Sequence, residues 1–392
     1  MVVQSLYPND VRVRRQAESL ARTGVRVDII CLQGKEQPFE SDYEGVTAYR
    51  VMPEASKESV AQYMWVALRF LMVAFAKLQS LSIKNHYELI QVHNMPDFLV
   101  FASLSHKLMG RPVVLDLHDL SVELMGSKWG GAKSKVLTPI IKAVEYLSCG
   151  LADRLITTSG GFRDRLIERG IRPDKITLVM NTADPRIFKF QEDRTFAPIT
   201  RGAKLLYHGT VAPRFGLAKA IDAVALLQAK IPDSTLNIYG QYYPSYKEEL
   251  EDQIKQLNLQ DKVFLHGWKT HEEVCEIIRN SDIGLVPYMN DDFMRLAHST
   301  KTFEYAATGL PVVASGLESI RSVLTDECVR FVDPDSAQDM ADKIAELCLD
   351  PELRQRQTQA ALAALPEISW PVMMERYLDL MHGLIGMNGK GK

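Results

Sequence analysis

At 392 residues the chain exceeds what one hydrophobic core ordinarily organises, so two domains are expected. Apolar residues make up 46% and charged residues 24%, the balance of a soluble globular protein rather than a disordered one. A net charge of −3 argues against a dedicated nucleic-acid binder, and five scattered cysteines without a C-x-x-C pair supply neither a disulfide scaffold nor a metal framework.

The chain opens with MVVQSLYPND, where Tyr7 and Pro8 interrupt any long apolar run, so no secretory leader is read and a cytoplasmic location is expected. A helix follows in DVRVRRQAESLARTG, with Gly24 as its stop. Its first turns carry Asp10, Arg12, Arg14 and Arg15. Arginines at a helix start oppose the dipole unless an anion or a carboxylate lies near. An anionic acceptor and a salt-bridged surface helix both satisfy that condition.

Residues 25–32 (VRVDIICL) read as a buried strand. The most apolar stretch is 60–78, VAQYMWVALRFLMVAFAKL, interrupted by Gln62 and Arg69. Its length suits a buried helix as well as a membrane span, and it is read as a core or interfacial helix. The wider segment 56–84 is rich in Met, Trp and Phe, with Lys57, Arg69, Lys77 and Lys84 along it. Basic-aromatic helices of this kind bind membrane interfaces. Burial against a sheet is the plainer alternative.

Further strand-like runs stand at 89–94, 112–119, 153–159 and 176–181, with helical patterns between them. Apolar strands alternating with helices mean a parallel sheet covered on both faces. In such sheets ligands bind outside the carboxyl ends of the strands. LDLHDLSVE places His118 and Asp119 there, with Glu123 one turn on. These groups can orient a polar ligand or handle a proton, or they can satisfy their own loop. His93 and Asn94 stand at another strand end, where an Asn-Met-Pro turn before a helix is the simpler reading.

The alternation pauses at 183–203, ADPRIFKFQEDRTFAPITRGA, which is polar, aperiodic and read as the linker. It restarts with strands at 203–210, 234–240, 262–268, 283–288, 311–315 and 329–333. The expected domains are therefore 1–184 and 200–369. The last helix, about 370–388, has no strand after it and can pack on either domain.

Two stretches of the second domain carry candidate chemistry. HGTVAPRFGLAKAIDA brackets a turn between Gly209 and Gly216, with Arg214 inside it and Lys219 beyond. A glycine turn before a helix, with an arginine near, can hold a diphosphate. STKTFEYAATGLPVVAS opens a helix with Ser299 or Thr300 as cap, and Lys301 adds a positive charge where backbone N–H groups already attract anions. Glu304, a turn later, can accept hydrogen bonds from sugar or ribose hydroxyls. An anion clamp beside a hydroxyl acceptor suggests a nucleotide or nucleotide sugar. A capped surface helix with a solvated Lys and Glu is the alternative.

Taken in order, YPNDVRVRRQAESLARTGVRVDIICL, VHNMPDFLV, LDLHDLSVEL, ADRLITTS, VMNTADPRIF, HGTVAPRFGLAKAIDA and STKTFEYAATGLPVVAS resemble the retaining glycosyltransferases of the GT-B fold, the family 4-like group of bacterial glycan and exopolysaccharide type. The resemblance implies two Rossmann-like domains around a cleft, an acceptor domain first and a nucleotide-sugar domain second. The last helix would cross back to the first domain. Glu304 matches the second glutamate of the family's E-x7-E element, which binds the ribose, whereas Leu296 stands where the first belongs. His298 or the backbone at Ser299 is then the substitute. In the family's diphosphate pattern Thr210 and Phe215 replace an arginine and a lysine, which leaves Arg214 as the stand-in cation. His118 matches the histidine that contacts the donor sugar, and His266, Gly267 and Trp268 match the segment that reads the base. With Asp119 as a weaker catalytic candidate and Asp10, Arg12 and Asn94 facing the acceptor, the resemblance implies UDP- or GDP-linked sugar transfer to a glycan, lipid-linked or small-molecule acceptor. No D-x-D pair stands where a divalent ion is expected, so metal independence and no separate cofactor are predicted. Peripheral contact with the inner face of the membrane is expected for a lipid-linked acceptor, and none with nucleic acid. Three rivals stay open: a sugar-nucleotide 2-epimerase of the same fold, a two-domain sugar-binding protein, and a dinucleotide-dependent dehydrogenase, which lacks its glycine fingerprint here.

Overall fold

The computed structural model describes residues 1–55, 59–128 and 132–389. Ser56 and Lys57, counted above in the basic-aromatic segment, lie outside the described residues. The chain divides into two compact units, Met1–Met180 together with Met373–Lys392, and Asn181–Val372.

The first unit is built on eight strands: β1 (Val2–Leu6), β2 (Val27–Gln33), β3 (Glu40–Tyr43), β4 (Val46–Pro53), β5 (Ile90–His93), β6 (Val113–Leu117), β7 (Arg154–Thr157) and β8 (Ile176–Leu178). They lie in the order β3-β4-β2-β1-β5-β6-β7-β8. All pairs are parallel except β3 with β4. Strands β5 and β6 are buried along their whole length, which is why they read as continuous apolar runs.

The β3–β4 hairpin was not among the strands expected from sequence. Its two-residue turn, Glu44-Gly45, has positive φ at both positions (51° and 80°), the mirror-image turn that matches strand twist. The signal was there in the Glu-Gly pair. It was masked because β3 is mostly exposed and carries polar residues.

The helix Val60–Lys84 begins at a capping box formed by Ser59 and Gln62. It buries Ala67, Phe70, Ala74, Leu78 and Leu81 at three- and four-residue spacing, as a helix covering a sheet must. Trp65, Leu68 and Met72 on its other side are exposed at 69%, 46% and 67%. Among the described residues this is one helix long and apolar enough to cross a membrane by length and composition.

The second unit holds β9 (Lys204–His208), β10 (Thr235–Tyr239), β11 (Val263–His266), β12 (Ile283–Val286), β13 (Val312–Ser315) and β14 (Arg330–Val332), all parallel, in the order β11-β10-β9-β12-β13-β14. The strand order reverses between β9 and β12, and in the first unit between β1 and β5. Crevices at such reversals are the places where ligands bind.

Residues 183–203, read above as a linker, instead fall within the second unit. Phe188 is buried there, Arg194 Nη1 donates to the Ser281 carbonyl at 2.8 Å, and Ile199 N donates to the Cys348 carbonyl at 2.7 Å. The segment is aperiodic because it is tied down by single contacts rather than by a repeating face. The last helix, Trp370–Gly389, enters the first unit at Met373. Met373, Tyr377 and Met381, four residues apart, are fully buried. Tyr377 Oη donates to Gln91 Oε1 at 2.8 Å.

Candidate functional site

In the second unit a cavity of about 180 Å³ opens at the carboxyl ends of β9 and β10, against the helix Thr300–Thr308 that follows β12. His208 and Gly209 come from the end of β9, Tyr239 and Gly240 from the end of β10, and Thr300, Lys301 and Glu304 from the helix. Trp268, Lys269 and His271 close the side. The backbone turns touch: a Cβ on Gly240 would sit 1.7 Å from the Gly209 carbonyl oxygen, and one on Gly209 would sit 2.5 Å from Lys301 Cε. Both positions therefore require glycine, and the Lys301 side chain fills the space that results.

Lys301 is buried. Its Nζ donates to Tyr288 Oη at 2.9 Å and lies 5.2–5.4 Å from the ring centres of Tyr207, Phe215 and Tyr288. Ring faces attract a cation. Among the described residues no carboxylate pairs with it. A buried ammonium held by one hydroxyl and three rings is left with charge to share with an anion. Glu304 lies across the cavity, its Oε2 3.2 Å from His208 Nε2. Burial, then the nearby Lys301, holds His208 well below the usual imidazole range, so that ring is neutral.

The structure thus gathers Gly209, Trp268, Thr300, Lys301 and Glu304 in one cavity. Several other expected donor residues are not part of its lining. Arg214 packs its guanidinium 5.6 Å over the Phe293 ring. Lys219 Nζ donates to the Asp335 carbonyl at 3.0 Å, because its helix turns it away from the cavity. Thr210 presents its carbonyl to Tyr207 Oη. His266 stacks on Tyr239 at 4.2 Å and meets Asn237 Oδ1 at 2.9 Å, while Gly267 faces open space. His298 meets Ser322 Oγ at 3.4 Å. Ser299 occupies the N-cap position but makes no cap bond; its hydroxyl meets Tyr288 Oη at 3.0 Å and so supports the Lys301 partner. His208, Tyr239, Gly240, Lys269 and His271 were missed. The strand-end rule would have found His208 and Tyr239 had it been applied to every strand of the unit.

In the first unit His93, Asp116 and His118 meet at the ends of β5 and β6. Asp116 Oδ2 lies 3.1 Å from both His93 Nδ1 and His118 Nε2, and the two nitrogens are 3.0 Å apart. Gln16 Nε2 donates to the same oxygen at 2.8 Å. Burial works to raise the Asp116 pKa, but His118 and His93 overcome it and hold the carboxyl below the usual range. Burial lowers the pKa of His93. By distance these three residues could hold a metal ion. A ligating histidine usually donates its other N–H to a partner, yet among the described residues His93 Nε2 and His118 Nδ1 have none, so the set lacks the outer support of a metal centre there.

The remaining first-unit candidates are largely used up within the protein. Asn94 donates to Asp97 Oδ1 and to the Asp119 carbonyl and accepts from His118 N, which leaves it as a brace for the loop rather than an acceptor contact. Asp10 caps the first helix and pairs with Arg12, and Arg12 Nη1 approaches Asp119 at 4.0 Å. These carboxylates account for an arginine at a helix start. Glu123 is paired through Oε1 with Arg169 and Arg165. Asp119 keeps a side chain one-third exposed. A larger cavity of about 530 Å³, lined by Met1, Asp28 and Tyr87, opens at the amino ends of β1 and β2, away from these groups.

Comparison with known proteins places this geometry. Residues 10–182 match the glycosyl transferase 4-like domain and residues 189–363 match the glycosyl transferases group 1 model. A GDP-mannose:cellobiosyl-diphosphopolyprenol alpha-mannosyltransferase of Xanthomonas oryzae pv. oryzae is 23% identical over 307 residues, 76% of this chain and 75% of the relative. Among solved structures, a sucrose-phosphate synthase from Thermosynechococcus elongatus superposes with a TM-score of 0.77 at 18% identity, over 98% of this chain and 95% of the other. Anabaena HepE, solved in complex with UDP-glucose, does so with a TM-score of 0.70 at 15% identity, over 97% and 99%. Two Rossmann-like parallel-sheet units with these domains define a GT-B glycosyltransferase. The chain carries a glycosyl transferase 4-like domain followed by a glycosyl transferases group 1 domain, and the protein is a glycosyltransferase.

Proposed function

We propose that the protein moves a sugar from a UDP- or GDP-linked donor to a glycan, lipid-linked or small-molecule acceptor, with retention of configuration. The observation that carries this reading is Lys301, a buried ammonium in the same cavity as Glu304 and without a carboxylate partner among the described residues. Charge develops on the departing diphosphate during glycosyl transfer, and preorganised cations and N–H groups aimed there are the main catalytic contribution. Lys301 and the helix start at Thr300 supply that role, with no divalent ion required at the diphosphate. Glu304 accepts the ribose hydroxyls, and Trp268 stands beside the base. In the first unit His118 contacts the donor sugar near the reacting carbon. The departing phosphate takes the acceptor proton as attack proceeds on the same face, through an oxocarbenium-like state.

The Xanthomonas relative acts, by its name, on a diphosphopolyprenol acceptor, and HepE was solved with UDP-glucose. Both support an enzyme working on a nucleotide sugar, and the reading adds a cytoplasmic location with peripheral attachment to the inner face of the membrane, where a lipid-linked acceptor would be met. The test is thermal unfolding with UDP, GDP, ADP and dTDP. One nucleotide should stabilise the protein by about 2.7 kcal/mol at a hundredfold excess over its dissociation constant. No shift with any of the four would remove the donor assignment. Incubation of the selected nucleotide sugar without acceptor should yield no new sugar isomer; a 2-epimerase would yield one.

A further inference from the structure

The buried groups behind His118 form a single directed chain. Tyr377 Oη donates to Gln91 Oε1 at 2.8 Å. Gln91 Nε2 donates to Gln16 Oε1 at 2.6 Å, and Gln16 Nε2 donates to Asp116 Oδ2 at 2.8 Å. His118 Nε2 closes on that same oxygen at 3.1 Å. Each glutamine uses its oxygen on one side and its nitrogen on the other, so the direction of every bond follows from the last. Asp116, ionised, can only accept. A nitrogen lone pair facing it at 3.1 Å would be repelled, so Asp116 favours a proton on each facing nitrogen, whereas the 3.0 Å contact between His93 Nδ1 and His118 Nε2 favours a proton on one of them; the tautomer of His118 decides which contact prevails. In a neutral ring the proton on one nitrogen leaves the other as an acceptor.

We infer that Asp116 is a positioning residue that holds His118 in the Nε2–H tautomer, so that its free Nδ1 accepts a hydrogen bond from a hydroxyl of the bound sugar. Tyr377, Gln91 and Gln16 hold Asp116 in turn. His118 Nδ1 is buried and has no hydrogen-bond partner among the described residues, as a group reserved for a ligand would be. His118 N also donates to Asn94 Oδ1 at 2.8 Å, which fixes the backbone from which the ring projects. The chain ties the last helix to the reacting end of β6, since Tyr377 lies in Trp370–Gly389 and Asp116 in β6. The inference rests on the assignment of His118 to sugar contact made above. A ring that accepts, rather than donates, selects a hydroxyl over an ether or a carbonyl at that point of the sugar.

The test measures the tautomer directly. Protein labelled with ¹⁵N at histidine, with His118→Gln used to assign the signals, should show a protonated Nε2 and an unprotonated Nδ1 for His118. Asp116→Asn should move His118 toward the other tautomer. It should also lower kcat by more than about tenfold, read as UDP released from UDP-glucose or GDP from GDP-mannose, with nucleotide affinity unchanged. Gln16→Met, which keeps the volume but removes the donor, provides a second variant should Asp116→Asn fold poorly, and it should show a smaller change in the same direction. A wild-type His118 protonated at Nδ1 overturns the inference. So does an unchanged tautomer and turnover in both variants while His118→Ala is inactive, which would leave the function of His118 standing without the relay. Full turnover in His118→Ala would instead remove the assignment of His118 on which the inference rests. Zinc(II) shifting the His93 and His118 nitrogens together would place a metal ion where the relay places protons.

Discussion

Lys301 meets three rings and one hydroxyl, and an anion would complete its surroundings. Lys301→Ala should weaken UDP or GDP binding by tenfold or more, since a bond to a charged group contributes about 1.5–3 kcal/mol, while nucleoside binding stays nearly unchanged. Arg214→Ala should weaken it far less, because that guanidinium lies against Phe293 outside the cavity. Calorimetric titration of each variant with nucleotide and nucleoside decides between them, and equal losses for both ligands in Lys301→Ala would show that the ammonium does not meet phosphate. Glu304→Ala should cost affinity for the ribose form and little for a nucleotide lacking the 2′- and 3′-hydroxyls. His298 bears on stability instead. Burial lowers its pKa from 6.5 to about 4. The neutral ring is favoured in the folded state, so its contribution is present above pH 6.5 and is lost as pH falls toward 4. Burial holds His208 low in the same sense. The melting temperature should fall between pH 6.5 and 4, and His298→Asn should flatten that fall; a slope unchanged in the variant would show that other groups dominate.

At the scale of elements, the helix Val60–Lys84 presents one face to its sheet and another outward. The outward side carries Trp65, Leu68 and Met72, and the whole helix contains Arg69, Lys77 and Lys84 but no acidic residue. An exposed apolar stripe with only positive charge suits an anionic lipid surface. The protein should float with liposomes containing anionic lipid and stay in the soluble fraction with neutral ones. Trp65→Glu should reduce flotation without altering the melting temperature, because the residue is exposed at 69%. A wild-type protein that never floats would remove the membrane reading. The turns after β9 and β10 show the opposite behaviour, being set by backbone contact rather than by surface. Gly240→Ala would drive a methyl group into the Gly209 carbonyl and should lower both stability and nucleotide affinity, by roughly 1–3 kcal/mol in stability. Thermal unfolding of that variant with and without nucleotide separates the two effects.

At the scale of the whole molecule, two doubly wound units in one chain follow from the alternation of apolar runs and helices, which is local and periodic and so is written in the order of residues. The parallel sheets, Gly24 as a helix stop, and the placement of Lys301 and Glu304 on one helix were legible for that reason: each depends on neighbours a few positions away. The hairpin β3–β4 was not, since β3 is short and mostly exposed and buries too little to produce a period. The strap at 183–203 read as a linker because it is held by isolated long-range bonds, such as Ile199 to Cys348, that no spacing announces. Arg214 and Lys219 looked like diphosphate ligands by position in the chain. Only the packed structure decides that a side chain one residue from a turn points toward Phe293 and not into a cavity. The chain from Tyr377 to His118 was likewise unreadable, because it joins residues 16, 91, 116 and 377 and exists only after the last helix has packed onto the first unit. Sequence by itself determined the elements and the chemical types near each strand end, since these rest on short-range periodicity. The partner of each polar group was decided by tertiary structure, because burial removes water and leaves every donor and acceptor to be satisfied by whatever distant residue the fold brings near.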